Sequence, residues 1–304
     1  MARAVLFHEP GGPEVLRLEE IGEPQPGPGQ VRVRVRAAGV QPYDVAIRAG
    51  WTPPGAGPLP RIPGNEIAGV VDQVGPDVTA WAPGDEVLGF GQLGGYAELA
   101  IWPADQLARK PAAMPWEVAG GFTAGMQTAH IALGELAPGP GEVLLVHGAA
   151  GSVGTAAVQL ARAAGATVIG TAREENHAHL AALGALPVAY GEGLRERIEA
   201  LAPDGVDAVL DGAGGAAFDL SLRLGVARDR ILTLVEHDRA AEAGVRVTPP
   251  TRSAARLAGL AERYARGELT WHVRATYPLE RAADAQRDVE TGHGRGKVVL
   301  LMGE

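Results

Sequence analysis

Valine and arginine alternate without a break through "QVRVRVRA", so Val31, Val33 and Val35 face one way and Arg32, Arg34 and Arg36 the other. This is the pattern of a strand with one dry and one wet face, as in an antiparallel sheet lying on a core. The shorter runs "AVLF" and "VLRLEE" precede it, and breaker-rich stretches such as "GEPQPGPGQ" and "PPGAGPLPRIPG" separate the candidates. The first third of the chain therefore reads as strands and turns. Near residue 115 the rhythm changes. The apolar runs "VLLVH", "TVIGT", "LPVAY", "VDAVLD" and "RILTLV" alternate with helical patterns, which predicts βα units on a parallel sheet with helices on both faces. After "TPPT" come a helical stretch, the strand-like "WHVRATY", another helix and a last strand, "KVVLLM". No internal repeat or low-complexity tail interrupts this layout.

The first βα junction carries the candidate chemistry. In "VLLVHGAAGSVGTAAVQLARAAGATVIGT" a buried-strand pattern is followed by Gly148, Gly151 and Gly154, and then by a helix with Val153, Ala156, Ala157, Leu160 and Ala164 on one stripe. Glycines let the chain turn tightly and bring backbone N–H groups close to a ligand. The helix N-terminus offers unpaired donors and a positive dipole end, so the junction suits a phosphate. Its G-x-x-G-x-x-G spacing departs from the usual G-x-G-x-x-G, yet strand, turn, helix and second strand together predict a dinucleotide site. The second strand ends at Thr171 and Ala172, and Arg173 follows at once. A guanidinium there can hold a ribose 2′-phosphate through its planar fork of donors, which favours NADPH over NADH. Glu174 and Glu175 oppose this if they point inward, and favour the start of the next helix if they do not.

Composition narrows the remaining classes. The 304 residues contain no cysteine, which removes disulfides, thiolate nucleophiles and cysteine zinc sites. A net charge of −9 is unfavourable for nucleic acid, whose binding rests on a basic face. No apolar run approaches the roughly 18 residues of a membrane span, and the N-terminus lacks a signal-peptide pattern, so a cytoplasmic location is the default expectation. Only Lys110 and Lys297 are lysines among 27 basic residues, which reads as a compositional bias toward arginine. Among the eight histidines only His177 and His179 lie close in sequence, and they do not share a helix face, so no metal site is expected.

At this point the motifs resemble the zinc-independent quinone oxidoreductases of the medium-chain dehydrogenase/reductase superfamily, nearly end to end. The blocks "AAGVQPYDVAIRAG", "RIPGNEIAGVVDQVGPDVTAWAPGDEVLG", "GGYAELA", the glycine turn and "GHGRGKVVL" follow that family's order. The resemblance implies an α/β chain: a GroES-like β-barrel catalytic domain from residues 1–116 and 254–304, and a Rossmann doubly wound parallel sheet, residues 117–253, binding NADPH. It also implies hydride transfer in the cleft to a quinone or an α,β-unsaturated carbonyl, and a homodimer joined through the exposed Rossmann sheet edge. Zinc-dependent relatives carry a ligating Cys after "AAGV" and a His in "GHE"; this chain has Gln41 or Pro42 and Asn65 there, so no zinc is expected.

Carried over residue by residue, the family's nicotinamide-side contacts fall on Gln41, Asp44 and Thr128. Its phosphate-side contacts fall on Gly151, Ser152, Val153, Arg173, Tyr190 and Lys297. Tyr43 and His130 are the candidate proton donors, each with an alternative as a packing residue, and water is a third source. Asp44 either meets substrate or fixes the Gln41 loop through backbone bonds. Trp51, Pro53 and Pro54 form a candidate lid or an ordinary exposed loop. Lys297 contacts cofactor or merely opens the last strand as a solvated cation, and His147 reads as packing. Three functions stay open: a quinone or enone reductase acting on a small molecule, an enoyl-thioester reductase of a biosynthetic pathway, and an NADPH-binding sensor without turnover.

Overall fold

The structure is a computed structural model, and it describes residues 1–292 and 294–303. The chain first forms β1 (Ala2–Leu6), β2 (Arg17–Ile21), β3 (Gln30–Val40), α1 (Pro42–Arg48), β4 (Glu66–Val74), β5 (Glu86–Phe90), β6 (Leu99–Pro103), β7 (Leu107–Arg109) and α2 (Trp116–Leu136). There follow β8 (Val143–His147), α3 (Ser152–Ala163), β9 (Thr167–Ala172), α4 (His177–Ala182), β10 (Leu186–Ala189), α5 (Leu194–Leu201) and β11 (Ala208–Asp211). The chain ends with α6 (Gly215–Ser221), β12 (Ile231–Thr233), α7 (His237–Ala243), β13 (Arg246–Val247), α8 (Ala254–Ala265), β14 (Val273–Pro278), α9 (Ala282–Glu290) and β15 (Lys297–Leu301). Two compact units result: Met1–Ala124 with the stretch from Ser253 onward, and Gly125–Arg252. The first boundary falls within α2.

In the first unit β3 behaves as its alternation demands. Val31, Val33 and Val35 are buried, while Arg32 and Arg34 reach across to Asp72 on β4 at 2.6 and 3.0 Å. The strand order is β14-β15-β3-β4-β5-β7, with β6 also paired to β3. β15 runs antiparallel to β3, Val298 opposite Val40 and Leu300 opposite Ala38, so the last strand joins the N-terminal sheet. The core gathers Val31, Val33, Tyr96 and Trp102 with Leu279, Ala282 and Ala285 from the α9 region. Gly120 and Gly121 let α2 lie directly on this sheet, since a Cβ at either would collide with Ala37 or with Lys297 and Val299.

The second unit is a six-stranded sheet in the order β10-β9-β8-β11-β12-β13, parallel throughout. Relabelled by sequence within the unit this is 3-2-1-4-5-6, the Rossmann order, whose direction reverses between β8 and β11. Leu144, Leu145 and Val146 are fully buried, as a central strand covered on both faces requires. The ligand crevice of such sheets lies beyond the carboxyl ends of the strands at the reversal, which here means His147–Gly148 and Asp211–Gly212.

Candidate active site

The glycine turn is built for close approach. Gly148 has φ +70°, and a Cβ on Gly154 would fall on the Gly148 carbonyl oxygen and the Ala149 backbone. α3 starts at Ser152 behind Gly151, and no side chain caps its first N–H groups. Those of Ser152 and Val153 are thus the kind of orphan donors that suit an anion, so the turn fits a dinucleotide pyrophosphate. Thr171 fastens the turn from the second strand. Its hydroxyl accepts from the Gly148 N–H at 3.2 Å, and its carbonyl accepts from the Ala149 N–H at 3.1 Å. Thr171 is buried, so this candidate ligand contact serves first as the turn's anchor.

Behind the turn His147 is buried, its Nδ1 lying 3.2 Å from the Thr171 hydroxyl and its Nε2 without a partner. Burial pulls its pKa down to about 4, against the pull of the neighbouring Asp211 carboxylate, so the ring is neutral at physiological pH. Asp211 accepts from the Ala213 and Gly214 N–H groups at 3.0 and 2.9 Å and from the Thr233 hydroxyl at 2.8 Å. At the end of β9 Arg173 is exposed, its Nε donating to the Tyr190 hydroxyl at 3.0 Å. Glu174 and Glu175 are exposed on a single 3-10 turn, Glu175 3.9 Å from the Arg173 guanidinium. On α2 the Thr128 hydroxyl accepts from Arg252 at 3.0 Å, and His130 is exposed.

The first unit holds a buried polar cluster. Gln41 caps α1, Pro42 fills its first position, and Gln41 and Asp44 form a capping box in which Asp44 reaches back to accept the Gln41 N–H at 3.1 Å. Asp44 also accepts from the Tyr96 hydroxyl at 3.1 Å, and its second oxygen is buried without a partner. Burial raises its pKa to about 7, in spite of Lys297 and the Tyr96 hydrogen bond, which favour the charged form. The Gln41 side chain donates to Asn65 and accepts from Lys297 at 3.1 Å. Lys297 is 2% exposed and pairs with the fully buried Glu66 at 2.6 Å, while the Ala124 N–H donates to the other Glu66 oxygen at 2.6 Å. The solvated-cation reading of Lys297 is therefore wrong: its ammonium compensates a buried carboxylate. Tyr43, beside this cluster in sequence, packs edge-on against the half-exposed Trp51 at 5.4 Å.

Zinc fits this place poorly. Where the resemblance places the zinc ligands of dependent relatives stand Gln41 or Pro42 and Asn65; the Gln41 and Asn65 amides are bonded to each other, with the Lys297 ammonium on Gln41. Amide oxygens are weak donors to zinc, and a fixed positive charge repels a second cation.

Comparison with known proteins fits this architecture. The "Alcohol dehydrogenase GroES-like domain" model matches residues 27–112, and the "Zinc-binding dehydrogenase" model matches residues 183–300. The quinone oxidoreductase of Mus musculus is 32% identical, over 99% of this chain and 98% of its own. A segment of polyketide synthase GfsB from Streptomyces halstedii is 41% identical over 67% of this chain, a span equal to 4% of that protein. Among solved structures, an NAD-dependent alcohol dehydrogenase superposes with a TM-score of 0.88 at 31% identity, covering 99% of this chain and 100% of its own. A mycobacterial protein complexed with NADPH gives 0.86 at 33%, covering 98% and 99%. A GroES-like unit joined to a Rossmann unit defines an oxidoreductase of the medium-chain dehydrogenase/reductase superfamily that uses a nicotinamide dinucleotide. Within it, the chain belongs to the quinone oxidoreductase family.

Asn65 is marked by its motif position, but four residues of the two sites are not singled out by the motifs: Glu66, Tyr96, Asp211 and Arg252. Only Glu66 leaves a local signal, an acid at the head of the apolar run "IAGVV".

Proposed function

We propose that the protein is a zinc-free, NADPH-dependent reductase of quinones or α,β-unsaturated carbonyl compounds. The observation that carries this reading is the Gln41 carboxamide, held by Asn65 and Lys297 where dependent relatives hold a metal. A hydrogen-bond donor of this strength suits an acceptor that is already electrophilic through conjugation, because its oxygen needs only modest stabilisation as charge develops. When bound, the reduced nicotinamide supplies the hydride. The Gln41 amide donates to the substrate carbonyl oxygen, which becomes an enolate as the β-carbon is reduced. Tyr43 and His130 are the candidate acids that protonate the α-carbon, with solvent as the third source. The α3 N-terminus and Gly151, Ser152 and Val153 take the pyrophosphate, and Arg173 with Tyr190 takes the 2′-phosphate, which supports NADPH as the preferred form.

A second reading, reduction of an enoyl thioester, is favoured by the likeness to the polyketide synthase segment. Steady-state turnover of a benzoquinone, an alkyl enone and a crotonyl thioester, each with NADPH and with NADH, separates the two. The proposal predicts turnover of quinone or enone with NADPH well above NADH. Turnover of the thioester alone would replace it with the second reading.

A further inference from the structure

The Gln41 carboxamide is gripped at both ends, and the grip has a direction. A lysine ammonium only donates, so only an amide oxygen can face it. With its oxygen 3.1 Å from Lys297, Gln41 must turn Nε2 the other way, where it donates to the Asn65 side-chain oxygen. Lys297 is itself fixed by Glu66 at 2.6 Å, and Glu66 by the Ala124 N–H at 2.6 Å. The surrounding backbone leaves no slack. A Cβ on Gly39 would collide with the Glu66 carboxylate, and one on Gly121 with the Lys297 stem. One chain of contacts, from Glu66 through Lys297 to Gln41 and Asn65, thus sets which amide atom is which. Nε2 carries a second hydrogen beyond the one given to Asn65, and Gln41 is only half-buried.

We propose that Lys297 and Asn65 are positioning residues that lock the Gln41 carboxamide in one flip state, with the remaining Nε2–H kept as the donor to a ligand's carbonyl oxygen. The assignment rests on the conjugated-carbonyl reading above, and it moves Lys297 from the cofactor's phosphates to the substrate's oxygen. The ammonium is the charged contact that forbids an outward-facing oxygen; without it the hold on the amide is weakened, and an oxygen turned outward repels a carbonyl. The ammonium on Oε1 also polarises the amide, which strengthens the outward N–H as a donor.

The test combines Lys297→Met with Lys297→Arg, and adds the double variant Glu66→Gln/Lys297→Met, which removes both buried charges should the single change prevent folding. The protein is labelled with 15N-glutamine, and the Gln41 side-chain NH2 pair is identified as the one missing in Gln41→Leu. The expected result has three parts. The Gln41 NH2 signals move in Lys297→Met and in the double variant, and stay near their original place in Lys297→Arg. Turnover of an enone falls about tenfold to a hundredfold, short of the hundred- to thousandfold typical when an oxyanion donor itself is removed. NADPH affinity, read by nicotinamide fluorescence, changes less than about twofold, below what loss of a charge-assisted phosphate contact produces. Unmoved Gln41 signals in Lys297→Met and the double variant overturn the proposal, and so does a loss of NADPH affinity as large as the loss in turnover. If the unmodified protein reduces no enone or quinone, the reductase reading fails, and the NH2 signals alone still decide whether Lys297 sets the amide.

Discussion

Asp44 and His147 place two titrating groups in buried surroundings of opposite consequence. Asp44 has its pKa raised from 3.8 to about 7, so between those values the folded chain holds a proton that the unfolded chain has released. Stability from this group is fully present below the unfolded value and is lost as pH rises toward 7, at about 1.4 kcal/mol per pH unit for one proton. His147 has its pKa lowered from 6.5 to about 4, so in that window the unfolded chain holds the extra proton. Its share is present above 6.5 and is lost as pH falls toward 4. Denaturant unfolding across this range should show Asp44→Asn gaining on the parent as pH rises and His147→Asn gaining as pH falls. The opposite slope in either variant contradicts the burial of that group. Both positions could be found in the sequence, but not their state: burial comes from strands and helices far away in the chain. The two lysines show the same limit from another side. Lys297 pairs with Glu66, while Lys110 pairs with Glu86 at 2.9 Å and lies over Trp116, so both are buried ammonium sites. In a chain that uses arginine nearly everywhere else, both lysines are buried beside a carboxylate partner. The bias toward arginine was visible in the composition; its two exceptions were the informative part.

At the scale of elements the β8–turn–α3–β9 unit was the most readable part, because strand, glycines and helix stripe are contiguous. Its inner fastening was not. The link from Thr171 to Gly148 and Ala149 joins the second strand to the turn, and periodicity has no signal for it. Gly154 is the position where the turn has no room, so Gly154→Ala must push α3 off the turn. A loss of about 1–3 kcal/mol in unfolding free energy is expected, the usual result of overpacking. It should come with weakened dinucleotide binding by calorimetry. A neutral substitution would mean that the close packing of α3 on the turn is not needed. The β9 end gives the sharper functional test. Arg173→Ala removes the exposed guanidinium that partners Tyr190. NADPH should bind roughly tenfold to a hundredfold more weakly, in line with about 1.5–3 kcal/mol for a hydrogen bond to a charged group, while NADH is unaffected. Equal losses for both forms would remove Arg173 from the 2′-phosphate site.

At the scale of the whole molecule, the order of elements and the C-terminal return were readable because each strand run is bounded by Gly/Pro breakers. The pairing of β15 with β3 was not, since nothing local in "KVVLL" names a partner more than 250 residues away. The Rossmann sheet ends at β13, whose exposed Arg246 and Val247 pair only with β12 among the described residues. An open edge of this kind invites a second copy, and a homodimer is the expected state. Sedimentation equilibrium should give twice the chain mass, and Val247→Pro should shift it to the monomer by removing an edge donor. A monomer at all concentrations would contradict this. The central claim, direct hydride transfer to a conjugated carbonyl, is tested most directly by isotope. An alkyl enone is reduced with NADPH deuterated at the transferring carbon, in ordinary water, and the product is analysed by NMR. One deuterium at the β-carbon, with a proton from solvent at the α-carbon, is the predicted result. A product free of deuterium, or NADPH binding with no product at all, would contradict it.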